Sequence, residues 1–420
     1  MSGCLEHTLH YSSPGHGDWG VVRVGMLAPE SVQLFVCPAA CGRHGALGAM
    51  KQGFKNRLFY LYVTQSDIIE GYDPLIPDAV DEVLAALSVE PRVFFVFVSC
   101  LDDLVGTDHE ALLALLFERH PKIQFRIGRM NPISLGSKTP PPVSIQNNLY
   151  SLLEPADGQD DGINSFGNLD RIADSSELYA FTRACGAKEF RHISQYQTLA
   201  AYQDMAKSRA NLVLLPSGLQ AARQVRERLG IPFLFVPITY DPEEIAADYR
   251  RMWEFLMPEE EWNGFPGLLE ARKEAEEEIQ RARERIGSLP IIVDASAVTQ
   301  PFGLAKMLIS YGFHVVRVEA QECASFDKEH LEWLLKEHPE VELSQPEHHR
   351  AVLFDRRIEE SLAIGVEGAY LSGSRYVADL FNDEGMFGYD GVKRLMRLLT
   401  EAVKAPTDLK ALINDYGLVI

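Results

Sequence analysis

Six cysteines are the residues of this chain with the most chemistry to offer: Cys4, Cys37, Cys41, Cys100, Cys185 and Cys323. Cys37 and Cys41 stand together in VCPAACGRHGALGAM (Val36 to Met50), a Cys-x-x-x-Cys run followed at once by Gly-Arg-His. Such thiols serve as metal ligands, as redox groups or as packing. Their spacing matches neither a ferredoxin run nor a zinc ribbon. Their positions say more. Cys41 follows the apolar run SVQLFVC, Cys100 ends the apolar run RVFFVFVSC and opens SCLDDLVGTD, and Cys4 lies in a glycine-containing N-terminal turn. Ligands of open α/β sheets gather at the carboxyl ends of strands, and thiolates near unpaired backbone N–H groups suit soft iron. Read from the residues alone, a thiolate cluster at strand ends and a set of packing cysteines both stay open. Cys185, at a helix end, and Cys323, in EAQECASFD, read as structural.

Other polar groups are weaker candidates. His16 and His44 are loop histidines near the cysteine segments, able to donate a hydrogen bond or a proton. Asp102, Asp103 and Asp108 read as helix caps. His192, Gln195 and Tyr196 end a strand of the middle third, and Ser372-Gly-Ser-Arg375 offers a hydroxyl and guanidinium cluster for an anion. GLAK (Gly303 to Lys306) puts glycine at a helix start without a P-loop pattern, so ATP hydrolysis is not expected.

The elements that must position these groups alternate. RLFYLYVTQ, RVFFVFVSC and KIQFRIG read as strands. PDAVDEVLAALSVE and DHEALLALLFERH read as the helices between them, which is the grammar of a parallel sheet covered by helices. TPPPVSIQ, with three successive prolines, reads as loop or linker. The middle third repeats the pattern: a helix over 175–185, the strand KEFRHIS, the helix YQTLAAYQDMAKSRA, the strand NLVLLP, the helix GLQAARQVRERLG and the strand PFLFVPI. LLEARKEAEEEIQRARERIG (Leu268 to Gly287) reads as a solvated connector helix rich in i,i+4 pairs. The last third starts again with PIIVDAS, TQPFGLAKMLISYG, HVVRVEA and DKEHLEWLLKEHP. GVEGAYLSG reads as a further strand and turn, and a helix is expected over about Tyr389 to Lys404.

At 420 residues the chain exceeds one ordinary core, and about 150 residues per domain suggests two or three. Hydrophobic residues at 46% and charged residues at 24% fit a globular protein. Sixty acidic against forty basic residues leave a formal charge of −20, which repels nucleic acid and anionic membrane surfaces. MSGCLEHTLHYSS lacks the basic and apolar regions of a secretory signal, and the apolar runs are too short to span a bilayer. A cytoplasmic protein is expected, in which structural disulfides are not.

In order along the chain, Gly3-Cys4, a strand into Cys41-Gly42, TQSDIIEG (Thr64 to Gly71) and a strand ending in Cys100 before LVGTD resemble the first domain of the nitrogenase component 1 superfamily. NLDRIADSSELYAFTRACGAKEF, MAKSRANLVLLP and GIPFLFVP resemble its second domain. DASAVTQPFGLAKMLISYGFHVV resembles its third, and GYDGVKRLMRLLTEAV (Gly388 to Val403) its C-terminal helix. The resemblance implies an α/β fold of three Rossmann-like domains, at 1–160, 161–287 and 288–420, each a mainly parallel sheet flanked by helices, around a central cleft. It implies that Cys4, Cys41 and Cys100 bind an iron–sulfur cluster, 4Fe–4S or a larger P-cluster-like one, at a subunit interface, with room for a second metallocluster. Implied partners are a second copy or a paralogous subunit, in a dimer or heterotetramer, and a nitrogenase-reductase-like iron protein; nucleic acid and membrane are not. The function it implies is a nitrogenase-like oxidoreductase subunit that relays electrons from an ATP-dependent iron protein to a substrate or metallocluster in the cleft. The alternative is a metallocluster scaffold without turnover. Two departures bear on this. YVADLFNDEGMFGYDG lacks the histidine that anchors the dinitrogen-reducing cofactor, and Cys185 is not in the context of its cysteine, so conventional dinitrogen reduction is not expected. Cys37 is the other: either a fourth thiolate or a buried strand residue.

Overall fold

The computed structural model describes residues 24–39, 41, 55–130, 139–349, 351–353 and 356–415. They fall into two compact units, one made of 18–169 with 190–233, the other of 170–189 with 234–420. Among the described residues no helix is long and apolar enough to cross a membrane.

The first unit carries two sheets. One is formed by β1 (Ser31–Cys37), β2 (Leu58–Tyr62), β3 (Val93–Val98) and β4 (Gln124–Arg129), in the order β2-β1-β3-β4 with all neighbours parallel. Every residue of β1 and β3 is buried, as expected of inner strands covered on both faces. Helices Leu75–Ala86 and His109–Arg119 pack Ile76, Val80, Leu112 and Leu116 against Val96, Val98 and Phe125. Each such apolar side chain contributes about 2 kcal/mol of burial. The other sheet has β5 (Ile163–Phe166), β6 (Phe190–Arg191) and β7 (Ala210–Val213) in the order β6-β5-β7, and Phe233, the unit's last residue, opens β8 (Phe233–Phe235).

Two expectations fail here. The proline run is no linker. Pro140 is the N-cap, and Pro141 and Pro142 open a helix, Pro141–Tyr150. The first helical positions have no intrahelical acceptor for an N–H, so proline is tolerated there with its φ already set. The helix expected over YQTLAAYQDMAKSRA shrinks to Leu199–Tyr202 and a 3-10 turn at Gln203–Lys207.

The second unit holds β9 (Ile291–Asp294), β10 (Val315–Glu319), β11 (Glu342–Ser344), β12 (Leu362–Ile364) and β13 (Tyr376–Ala378), in the parallel order β11-β10-β9-β12-β13. GVEGAYLSG is not a strand; Val366–Ser372 is a helix between β12 and β13, started by Gly365 at φ +110°. The connector helix, Leu268–Ile286, is less solvated than its charge suggests. Ala275, Ile279, Ala282 and Ile286, at spacings of four, three and four, bury one face against the helix Gly388–Ala402. Its outer face carries pairs such as Arg272–Glu276. The Gly388–Ala402 helix is capped from far away in sequence. Glu177 accepts from the amides of Tyr389 (2.5 Å) and Asp390 (3.0 Å) and from the Tyr249 hydroxyl (2.8 Å).

A partly buried clamp also fastens this unit. His330 lies between Asp327 (Nδ1 to Oδ1, 2.8 Å) and Glu244 (Nε2 to Oε1, 2.8 Å), with Thr239 donating to Glu244 at 2.7 Å. Asp327 in turn accepts from the amides of Phe302 (3.0 Å) and Gly303 (2.8 Å). The hydrogen bonds to Asp327 and Glu244 outweigh desolvation and push the imidazole up to about 9. Against its own burial, Glu244 is held down to about 2 by His330 and Thr239.

Candidate functional site

A parallel sheet whose chain leaves one strand to both sides opens a crevice at the carboxyl ends of the two strands where the order reverses. The described residues hold three such points, and at two of them the chain fills the crevice itself. Between β5 and β7, Gly167 (φ +93°) lies against Leu215 and Gly218 so tightly that a Cβ would sit 2.6 Å from the Leu215 carbonyl oxygen. Between β9 and β12, the buried Asp294 carboxylate accepts from Ser296 N (2.8 Å), Ser296 Oγ (2.7 Å) and Gly368 N (2.7 Å). Gly365 is needed there too: its φ is +110°, and a Cβ would lie 2.7 Å from Asp294 Oδ2. Burial, and then the neighbouring Glu367, push Asp294 up to about 7.

The third point lies between β1 and β3, and it carries the thiols. Val36 and Val98 are register partners near the ends of the two strands. The chain beyond β1 turns through Pro38, with Cys41 N donating to Pro38 O at 3.0 Å, and leaves Cys41 exposed. Beyond β3, Ser99 is the N-cap and Cys100 the first residue of a short helix, Cys100–Val105, with Cys100 half-buried. The two thiols thus sit on adjoining turns at one edge of one sheet, and neither is in a disulfide. Cys37, the last residue of β1, is fully buried, with Tyr62 as its register partner. Burial, and then Cys41, push its thiol up to about 12, so the thiolate a metal needs is strongly disfavoured there. Cys4, His16 and His44 lie outside the described residues. Among the described residues, no three His, Cys, Asp or Glu side chains converge as a metal-binding group.

Asp102 belongs to this site in a way the sequence did not suggest. It is no surface cap: its buried carboxylate accepts from the Tyr72 hydroxyl (3.0 Å) and from His109 Nε2 (2.5 Å). Burial works to raise its pKa, and the hydrogen bond from His109 leads the interactions that bring it below the usual carboxylate range. Asp108 is the N-cap of His109–Arg119, accepting from the amides of Glu110 and Ala111, and Asp103 is exposed.

The remaining candidates have structural work. His192 Nδ1 accepts from Ser194 N (3.3 Å), and Nε2 donates to Asn168 O (2.9 Å). Gln195 accepts from His192 N, and Tyr196 packs edge-on against Tyr202. Ser372 and Ser374 are buried and bond each other at 2.6 Å, while Arg375 pairs with Glu360, so no anion site forms at SGSR. The helix start at Gly303 is already occupied by the Asp327 carboxylate, which leaves no cradle for phosphate. Cys185 is buried at the end of the helix Leu178–Ala184, and burial leads in pushing Cys323 up to about 11.

Parallel sheets covered by helices define the chain as an α/β protein. The chain belongs to the nitrogenase component 1 type oxidoreductases, whose family pattern it matches over residues 18–404. It is 21% identical over 297 residues to the nitrogenase iron-molybdenum cofactor biosynthesis protein NifE of Clostridium pasteurianum. That match covers 70% of this chain and 64% of the relative. In fold it is similar to two solved structures. One is described as nitrogenase Cp1 at pH 6.5 (TM-score 0.72, 13% identity, 95% of this chain and 94% of the other). The second is nitrogenase Cp1 at pH 5 (TM-score 0.59, 15% identity, 94% and 91%).

Proposed function

We propose that the chain is an iron–sulfur subunit of a nitrogenase-like oxidoreductase, with Cys41 and Cys100 as thiolate ligands and Cys4 as the third. The observation that carries this is the pairing of two unburied, non-disulfide thiols on the turns that follow the neighbouring strands β1 and β3, where the strand order reverses. The donor set fits a 4Fe–4S or larger P-cluster-like centre: thiolates are the usual ligands of such clusters. Cys37, fully buried at the end of β1, is read here as a packing residue. Such a centre, when bound, takes up and gives out electrons singly. The chain's part is to hold that centre with its thiols and to seat against other proteins. In this reading it accepts electrons from an ATP-dependent iron protein and delivers them to a substrate or second metallocluster within the assembly.

Partner association has its own support. Tyr62 (53% exposed) ends β2, and Ile69 (85%) and Leu104 (78%) lie on the short helices that follow β2 and β3, toward the same carboxyl ends as the thiols. Large apolar side chains grouped at an edge are what a second copy or a paralogous subunit would cover, and that partner would supply the fourth donor.

A second reading is favoured by one observation, the similarity to a cofactor biosynthesis protein. In it the same thiols hold a metallocluster during assembly, without turnover. Anaerobic purification with iron and sulfide analysis tests what the two readings share. About two iron per chain, lost in Cys41→Ala and Cys100→Ala and retained in Cys37→Ala, supports a cubane shared between chains. No iron with or without a partner subunit rejects both. Substrate reduction with an iron protein and ATP then selects the first reading, and cluster transfer to an acceptor protein selects the second.

A further inference from the structure

The helix that starts with Cys100 is six residues long, too short to persist on its own backbone bonds. Its apolar side chains hold it loosely. Leu101 and Val105 are only partly buried against the core, and Leu104 faces outward. Its one buried side chain is polar: Asp102. Three other segments of the same unit meet that carboxylate directly or through one residue. Tyr72 donates to Oδ1 at 3.0 Å, and His109 Nε2 lies 2.5 Å from Oδ2. Arg129, the last residue of β4, reaches His109 Nδ1 at 3.2 Å. A guanidinium only donates, so Nδ1 is the acceptor, and the ring proton sits on Nε2, pointing at Asp102. Arginine therefore fixes the tautomer, the tautomer fixes the bond to Asp102, and Asp102 fixes the turn that presents Cys100.

From this geometry we infer that Asp102 and His109 are positioning residues for the Cys100 thiolate, setting where its sulfur stands and hence the environment of whatever it ligates. This rests on the assignment of Cys100 as a ligand, and it concerns neighbours of the ligand instead of the ligand itself. Apolar contacts resist separation but not sliding. A directional bond to a buried carboxylate resists both, which is how outer residues orient metal ligands generally.

The test uses the full-length chain with the variants His109→Ala, His109→Gln, Asp102→Asn and Tyr72→Phe. In the apo-protein, the iodoacetamide alkylation rate of each cysteine is read by peptide mass spectrometry, with Cys41, on the neighbouring turn, as internal control. In the iron-loaded protein, the EPR spectrum and midpoint potential are recorded. Expected in His109→Ala and Asp102→Asn are a change of about fivefold or more in the Cys100 rate relative to Cys41, and altered EPR g values. His109→Gln, which keeps an N–H for Asp102 and an oxygen for Arg129, restores most of both. Unchanged Cys100 reactivity and an unchanged EPR spectrum in the folded variants overturn the inference, as does an equal change at Cys41. If His109→Ala fails to fold, Tyr72→Phe and His109→Gln decide by the same two criteria. A wild-type chain that never takes up iron defeats the cluster assignment, while the alkylation ratio still decides the positioning role.

Discussion

Replacing His330 with alanine removes the centre of the clamp between Asp327 and Glu244, and the size of the effect follows from the geometry. The imidazole is 12% exposed, with a carboxylate oxygen 2.8 Å from each ring nitrogen. Its pKa is raised from 6.5 to about 9. At 1.36 kcal/mol per unit, the protonated clamp contributes about 3 kcal/mol. The sign follows from the direction. A raised imidazole pKa gives stability that is fully present below about 6.5, where the unfolded chain is protonated too, and that is lost as pH rises through about 9. Burial pushes the Asp327 carboxyl up, and in the variant that carboxylate is left with two amides and no cation, a penalty that persists at high pH and so leaves part of the gap there. For a folding unit of about 200 residues, 3 kcal/mol corresponds to about 6–12 °C in Tm. Calorimetry of wild type and His330→Ala from pH 6 to pH 10 is the assay. The gap should be widest near pH 6 and narrow steadily from pH 7 to pH 10. A gap under about 2 °C at pH 6, or one that does not change with pH, refutes the clamp as an energetic unit.

Cys37→Ser buries a hydroxyl with no designed partner in β1, and should cost about 1–3 kcal/mol in urea unfolding while leaving the iron content of the anaerobically purified protein unchanged. Gly365→Ala places a Cβ 2.7 Å from the Asp294 carboxylate at φ +110°, and should lower stability by about 3 kcal/mol or prevent soluble expression; normal expression with an unchanged melt counts against the plugged crevice. Glu177→Ala strips the acceptor from two helix-start amides and from the Tyr249 hydroxyl, with an expected loss of about 2–3 kcal/mol and faster amide exchange at Tyr389 and Asp390.

Local periodicity announced the elements with continuous or repeating apolar patterns. β1 and β3 are unbroken buried runs, and Leu219–Leu229, closed by Gly230 in the left-handed region, carries its stop signal in the sequence. What stayed hidden depends on distance. Glu177 caps a helix more than two hundred residues later, His330 bridges to Glu244, and Asp102 meets Tyr72 across thirty residues. No window of sequence contains both partners. Asp102 was read as a cap because an acidic residue after a strand usually is one, and only burial distinguishes it from Asp108, which does cap. The triple proline and GVEGAYLSG mislead for a related reason. Proline and glycine mark a break in structure but do not say which side of the break is helical, and tertiary packing decides that.

The three strand switches also explain why chemistry concentrates where it does. Repeating one α/β plan yields three equivalent crevices, each a ready ligand site unless something fills it. At β5/β7 the filler is backbone, made possible by Gly167; at β9/β12 it is a carboxylate, made possible by Gly365. Both fillers tie the strand ends to the following turns and so trade a binding site for rigidity. The turns beyond β1 and β3 present thiols, together with exposed Leu104 beyond β3, Tyr62 at the end of the neighbouring β2 and Ile69 beyond it. Exposed apolar side chains and unburied thiols are costly for an isolated chain to maintain, through aggregation and oxidation respectively. Their coincidence at one edge is economical only if a single event, a partner closing over a bound cluster, covers both. If it does, Cys41 and Cys100 alkylation and Leu104 exposure should all fall together on assembly, with Cys323, in the other unit, unchanged. Protection of the thiols without burial of Leu104, read by hydrogen exchange on the same peptides, would separate cluster binding from subunit association.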